Sequence, residues 1–303
     1  MPQTETFSGV IPPVLTPFTE ELEADEGRFV EHCRWLLSQG ATGLAVFGTT
    51  GEANSLSVDE RLSLLDAALE AGIGPELMMP GTGCCALTDT VRLTGRAVAA
   101  GCGGVLLLPP FYYKGVSDDG VFRSIAEVIE RVGDSRLRVY LYHIPPVAQV
   151  GFSLEVVGRL IDAYPGIVVG LKDSSGDWSN TEALLKAFPG FATFSGSEVF
   201  LLANLRGGGA GTITATGNVN LAAIRALYDS WQTDGADALQ EEITEVRKAI
   251  QAFPVIPALK AILASHHSDP AWCTVRPPLL DLEAEQITDL LTSLQTHDFA
   301  LAA

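Results

Sequence analysis

Apolar residues along the chain fall into two alternating patterns. Short runs rich in Val, Ile and Leu occupy residues 9–14, 43–47, 77–81, 104–108, 139–143, 168–172, 192–195 and 211–214, and they predict eight buried β-strands. Between them apolar residues recur at three- and four-residue spacing over 25–38, 58–71, 87–100, 119–131, 154–163, 178–187 and 199–206, the pattern of helices that bury one stripe. Capping residues mark several helix starts: Ser57 before Val58-Asp59-Glu60, Ser153 before Leu154-Glu155, and Asp177 before Trp178. Strands buried on both faces and separated by helices run parallel, and eight of them close into an α/β TIM (β/α)8 barrel. An open doubly wound sheet would place G-x-G-x-x-G after the first strand, where this chain reads Pro12-Pro13-Val14-Leu15-Thr16-Pro17-Phe18.

Further helical patterns at 221–231, 237–252, 257–265 and 284–295 exceed the single helix that the last barrel unit needs. The chain is therefore divided into a barrel core, 1–220, and a second part, 221–303, holding the last barrel helix and an appended C-terminal helical region. Pro254, Pro257, Pro270, Pro277 and Pro278 break that region into pieces, because proline lacks the amide hydrogen and clashes with the preceding turn.

Composition narrows the possibilities. The net charge of −18 excludes a surface that tracks nucleic-acid phosphates, which needs clustered Lys and Arg. The acidic residues are spread, as in Glu20-Glu21-Leu22-Glu23-Ala24-Asp25-Glu26, in the manner of solvated helix faces. Met1-Pro2-Gln3-Thr4-Glu5-Thr6 lacks the basic and apolar regions of a leader, and no apolar run reaches membrane-spanning length, so a cytoplasmic protein without a membrane partner is expected. Five cysteines without C-x-x-C spacing are expected to be reduced thiols. Cys84-Cys85 and His266-His267 are adjacent pairs whose side chains diverge on regular elements, and no metal is expected.

Catalytic groups of such barrels sit at the carboxyl ends of the strands. Lys172 ends the run Ile167-Val168-Val169-Gly170-Leu171-Lys172. Burial disfavours an ammonium, and a neutral amine attacks carbonyl carbon; the bland alternative is a lysine that reaches past the strand end into water. Tyr142 lies near the end of the fifth predicted strand, and Gly48-Thr49-Thr50-Gly51-Glu52 follows the second. An amine for a Schiff base, a phenol to move protons, and a loop whose amides and hydroxyls hold a carboxylate together suit a 2-oxo acid. Taken singly, Tyr142 is more often a core tyrosine with its hydroxyl at the surface, and the loop glycines read as a turn.

The loop Gly48-Thr49-Thr50-Gly51-Glu52, the Tyr-x-x-Pro of Tyr142 to Pro145, and Gly170-Leu171-Lys172-Asp173 occur in an order and spacing that resemble the dihydrodipicolinate synthase/N-acetylneuraminate lyase family, over nearly the whole chain. The resemblance implies a class I aldolase-type lyase on a TIM barrel. In it Lys172 forms a Schiff base with pyruvate or another 2-oxo acid. Tyr142 relays protons with Thr50 hydrogen-bonded to it, and Thr49 and Thr50 grip the substrate carboxylate. It implies no metal or organic cofactor. It also implies a homotetramer, a dimer of dimers in which a neighbour's tyrosine completes the relay. Within Pro110-Phe111-Tyr112-Tyr113-Lys114, counting from Pro110 selects Tyr112, the favoured residue, and counting back from Asp118-Asp119-Gly120 selects Tyr113.

Two departures from the family pattern bear on substrate. True dihydrodipicolinate synthases carry an arginine two residues after the Tyr-x-x-Pro proline, where this chain has Val147, which cannot bind a carboxylate bidentately. Sialate lyases carry an acidic pair after the seventh strand, where Ser195-Gly196-Ser197-Glu198-Val199 offers a single carboxylate. Gly196, Ser197, Glu198 and Thr214 are taken as substrate-binding candidates suited to a short hydroxylated chain, with Asn218 beside them. The alternative for Glu198 is a first-turn helix carboxylate facing solvent. The expected reaction is reversible aldol cleavage of a 2-keto-3-deoxy sugar acid or a 4-hydroxy-2-oxo acid to pyruvate and an aldehyde. The alternatives are a dehydratase or deaminase of a related 2-oxo acid, dihydrodipicolinate synthase itself, or a non-catalytic ligand-binding barrel.

Overall fold

The computed structural model describes residues 6–297 and 299–301. Residues 1–5, where a leader was sought, and the limits 1 and 303 of the two-part division lie outside the described residues. Six strands, β1 (Gly9–Ile11), β2 (Val105–Leu107), β3 (Val139–His143), β4 (Val168–Asp173), β5 (Ala192–Ser195) and β6 (Gly211–Ile213), form one parallel sheet in the order β1-β6-β5-β4-β3-β2. Its two edges are joined through residues 42–46 and 77–81. Thr42 N donates to Val10 O at 3.0 Å, Leu44 N to Leu77 O at 2.8 Å, Gly81 N to Val46 O at 2.7 Å and Leu106 N to Pro80 O at 2.9 Å. The chain is a closed (β/α)8 barrel, as its periodicity predicts.

The second and third predicted strands nevertheless differ from the expectation. They pair only through the isolated parallel bridges Leu44 to Met78 and Gly81 to Leu106, in part because Pro80 has no amide hydrogen to continue a ladder. Pro12 and Pro13 likewise stop β1 at Ile11 instead of residue 14, and Thr214 leaves β6 to open the 3-10 turn Ala215–Asn218.

Helices α1 (Glu26–Ser38), α2 (Val58–Glu70), α3 (Leu87–Ala100), α4 (Asp118–Val132), the single turn α5 (Pro145–Ala148), α6 (Leu154–Ala163), α7 (Trp178–Ala187), α8 (Leu201–Arg206) and α9 (Leu221–Ser230) surround the strands. The predicted caps act at their starts: Ser57 and Glu60 form a reciprocal capping box, and Ser153 and Asp177 accept from Val156 N and Ser179 N. Beyond the barrel come α10 (Ala236–Gln251), α11 (Val255–His267) and α12 (Ala284–Gln295), with α10 and α11 meeting at 104° across Pro254. Among the described residues no single helix is long and apolar enough to cross a membrane.

Strand alternation sends Val139 and Leu141 outward against the helices, and Tyr140 and Tyr142 inward with Ile11, Ala45, Met79, Leu106, Phe194 and Ile213. Tyr140 fills the lower barrel between Phe7 and Phe194, with ring centroids 5.9 and 6.0 Å away, and its hydroxyl accepts from Phe7 N at 2.8 Å. Burial pushes this phenol up to about 12. The ring fits because residue 170 is glycine: a Cβ there would lie 2.5 Å from the ring and 2.6 Å from Ala192 O.

Asn218, expected at the pocket, is instead a fully buried tie between the loops after β1 and β6. Its Nδ2 donates to Pro13 O and Ala215 O, both at 2.9 Å, and its Oδ1 accepts from Leu15 N at 3.1 Å and from His32 Nε2 at 2.9 Å. Burial lowers the His32 imidazole from 6.5 to about 4, against the opposing pull of Asn218. The unfolded chain therefore takes up this proton first. The stability due to neutral His32 is complete above pH 6.5 and is lost as pH falls toward 4. His32→Gln keeps a donor for Asn218 and removes the titration. Urea unfolding at pH 7 and pH 4.5 should show the wild type losing about 2–3 kcal/mol more than the variant; equal losses would contradict this account.

Candidate active site

At the carboxyl ends of the strands lies a cavity of about 600 Å³. Lys172, Tyr142, Thr49, Thr50, Gly196 and Ser197 line it, together with Asp173, Ile144, Pro146 and Val147. Register decides who meets whom. Lys172 pairs with Tyr142 on β3 and with Phe194 on β5, so all three side chains point to the barrel axis at one level. The lysine does not extend into solvent: it is 4% exposed, and its Nζ sits 4.3 Å from the centroid of the Tyr142 ring.

The Tyr142 hydroxyl lies 3.3 Å from Thr49 Oγ1, long for a hydroxyl pair but of the kind that tightens when substrate binds. The resemblance placed Thr50 in this contact; Thr50 lines the cavity, and the first threonine makes the bond. Phe47, left-handed at φ 58°, turns the chain before the loop so that Thr49 comes over Tyr142. The loop is pinned from below as well. Thr16 Oγ1 donates to Gly51 O at 2.8 Å, and a Cβ on Gly51 would come within 2.6 Å of Val14 O.

The loop ends at Glu52, a non-glycine residue held left-handed at φ 52°. Its carboxylate is buried. Oε1 accepts from Lys260 Nζ at 2.5 Å and Oε2 from Arg276 N at 2.9 Å. Lys260 stands on α11 among Ala258, Leu259, Ala261 and Ile262, donates also to Thr274 O at 2.8 Å, and lies 4.4 Å from the Phe18 ring. Burial lowers the pKa of its ammonium and the charge of Glu52 opposes that. The Arg276 side chain binds Leu22 O, Ser55 O and Glu60, the last carboxyl being held down at about 2 chiefly by this arginine, and it does not line the cavity.

Glu198 and Thr214 are placed differently from the expectation. Glu198 is fully buried, its two oxygens taken by the hydroxyls of Thr214 and Thr216, with Arg247 Nη1 at 3.4 Å. Glu198 and Thr214 thus stand behind the cavity wall, and Glu198 is no solvent-facing first-turn carboxylate. The turn Glu198–Phe200 tucks it inward against the end of β6. Tyr112 and Tyr113 are 74% and 73% exposed, pack on each other at 5.4 Å, and do not line the cavity of their own protomer. Lys114 ties their loop to α5 by donating to Ala148 O at 2.8 Å. His143 points outward, its Nδ1 accepting from Phe152 N at 3.0 Å, with its pKa lowered by burial. Among the described residues no three His, Cys, Asp or Glu side chains gather as metal ligands.

The C-terminal region completes the wall with Arg247, Gln251, Pro254, Val255, Ile256, Pro257 and Leu279. Sequence reasoning missed Arg247. Its signal was there: on α10 it takes the i+4 place in the buried stripe of Ile243, Val246 and Ile250, a cation where the pattern calls for an apolar residue.

The sequence matches the dihydrodipicolinate synthetase family over residues 6–297. The chain belongs to that family. It is 35% identical over 287 residues to an uncharacterized DapA-like lyase of Chloroflexus aurantiacus, covering 93% of this chain and 94% of the relative. Among solved structures, dihydrodipicolinate synthase from Agrobacterium tumefaciens superposes with a TM-score of 0.89 at 34% identity over 95% of this chain and 98% of the other. A prophage protein of the family from E. coli K12, solved in complex with pyruvate, gives 0.87 at 25% identity over 98% and 100%. The protein is an enzyme of the class I lyase and aldolase type, as its motifs predict.

Removing one partner of a buried ion pair leaves an uncompensated charge, so Lys260→Met is expected to cost about 3–5 kcal/mol in chemical denaturation. Lys260→Met with Glu52→Gln should recover much of that loss. A single variant as stable as the wild type would show that the pair does not hold the loop.

Proposed function

We propose that the protein catalyses reversible aldol cleavage of a 4-hydroxy-2-oxo acid or a 2-keto-3-deoxy sugar acid, through a Schiff base between Lys172 and the pyruvyl end of the substrate. The observation that carries this reading is the stack on the barrel axis: a buried amine against the face of Tyr142, whose hydroxyl reaches Thr49, at the floor of an open cavity. In cleavage the Lys172 amine adds to the C2 carbonyl and water leaves, giving an iminium ion. The C4 hydroxyl proton passes to the Tyr142 and Thr49 relay as the C3–C4 bond breaks, and its electron pair is taken up as an enamine. The aldehyde departs, C3 is protonated, and water hydrolyses the imine to release pyruvate and the free amine. Thr49 and Thr50 hold the α-carboxylate with the loop amides. No metal or organic cofactor enters these steps.

Pyruvate is supported by the family member solved in complex with it. Val147, 60% exposed on the cavity wall, offers no charge to the aldehyde substrate of a true synthase, which favours another carbonyl partner. Tyr112, presented on an exposed loop, completes the relay of a neighbouring subunit in a cytoplasmic homotetramer.

Incubation with pyruvate and borohydride should leave a reduced adduct on Lys172 by peptide mass analysis, absent from Lys172→Ala; a folded wild type that takes up no adduct sinks the Schiff base. Thr49→Val and Tyr112→Phe should each lower kcat about 10²-fold or more. Thr50→Val should act mainly on KM for pyruvate, and the reverse order for the two threonines would return the relay to Thr50.

A further inference from the structure

We infer that the carbonyl partner carries a second carboxylate, at the end remote from the bond made or broken, and that Arg247 reads it. This rests on the lyase reading above and names the substrate class of the same site.

The cavity's charges lead to the inference. Among the described residues its cationic lining residues are Lys172 and Arg247, and its acidic one is Asp173. Asp173 is already occupied, accepting from Ser175 N at 2.9 Å, Asn180 Nδ2 at 2.9 Å and Thr181 Oγ1 at 2.7 Å. Lys172 is consumed by the imine, and the α-carboxylate goes to the threonine loop. Arg247 is then the one positive charge that the rest of the substrate meets.

Its setting suits an anion. The Arg247 side chain is 13% exposed on a wall that it shares with Gln251 and the apolar Val199, Phe200, Ala215, Val255 and Ile256. Nε donates to Gln251 Oε1 at 3.0 Å, while Nη1 makes only loose contacts to Glu198 Oε2 at 3.4 Å and Thr214 Oγ1 at 3.3 Å. Nη2 has no acceptor among the described residues. Glu198 does not need the arginine for its own hydrogen bonding, since Thr214 and Thr216 supply both oxygens; it orients the guanidinium and offsets part of its charge. A guanidinium so held has room for the paired short bonds that carboxylates accept. Beside Glu198 a dianionic phosphate would leave twice the uncompensated negative charge that a carboxylate leaves, which favours a carboxylate. Arg247 reaches the cavity from α10, a different wall from the one that carries Val147, and so selects a chain of different reach.

The test is condensation of pyruvate with malonic semialdehyde and succinic semialdehyde, each beside its uncharged methyl ester, and with glyceraldehyde 3-phosphate. The wild type should favour at least one acid over its ester by about tenfold or more in kcat/KM. Arg247→Met should erase that preference, and Arg247→Lys should restore part of it. Because Arg247→Met leaves Glu198 buried without a cation, Arg247→Met with Glu198→Gln serves as the second variant, expected to show the same loss. Borohydride trapping of pyruvate on Lys172 accompanies every measurement. A wild type that forms no adduct overturns the lyase reading and this inference with it. Adduct with equal rates on acids and esters, preference for the phosphorylated aldehyde, or a preference that survives in the variants overturns this inference and leaves the lyase reading standing.

Discussion

The ion pair between Glu52 and Lys260 fixes where the threonine loop stands relative to the strand that bears Lys172. Both charges are shut away from water, a cost that only close geometry and further hydrogen bonds can offset. Those bonds are present: Arg276 N and Thr274 O take the remaining valences, and Phe18 presents its ring to both Lys260 and Arg276. The result is a joint between the barrel and the appended helices made at the base of the threonine loop. It explains a lysine in a helix that is otherwise apolar nearly all round, and a left-handed glutamate where glycine would cost less strain. Shifting α11 would move Glu52 and, three residues earlier, Thr49.

The same joint gives the appended region a share in the chemistry, since α10 and the Pro254–Pro257 bend form the outer wall of the cavity. It also resolves an apparent contradiction in charge. A chain of net charge −18 repels the anionic 2-oxo acids of the proposed reaction at long range, yet physiological salt screens that repulsion within about 8 Å. What the substrate meets inside is set locally, by two cations on the lining and by an aspartate whose oxygens are already bound.

The parts of this arrangement that follow from short-range periodicity were legible in the chain. Alternation along one strand is enough to put Tyr140 and Tyr142 inside and His143 outside, and a lysine closing an apolar strand announces itself. What depends on contacts between distant segments was not. The partner of Tyr142 is Thr49 because of one left-handed residue, Phe47, which leaves no mark on an apolar pattern. Glu198 looked exposed because the threonines that bury it lie at residues 214 and 216, on the next strand and its turn. Asn218 looked like a pocket residue because its strand-end position is visible and its tie to His32, 186 residues away, is not. The strands at 43–47 and 77–81 were found by composition, but their single-bridge pairing reflects where prolines interrupt the ladder.

Tyr140 carries one more consequence. Wedged between Phe7 and Phe194, two residues before Tyr142 on the same strand, it fills the barrel interior beneath the cavity. Whatever bonds to the lysine lies deepest, and whatever reacts with it must come in over the top. Under the proposed reaction this favours one order of condensation, the 2-oxo acid first and the aldehyde second, with cleavage the reverse. That order then rests on a tyrosine that lines no part of the cavity.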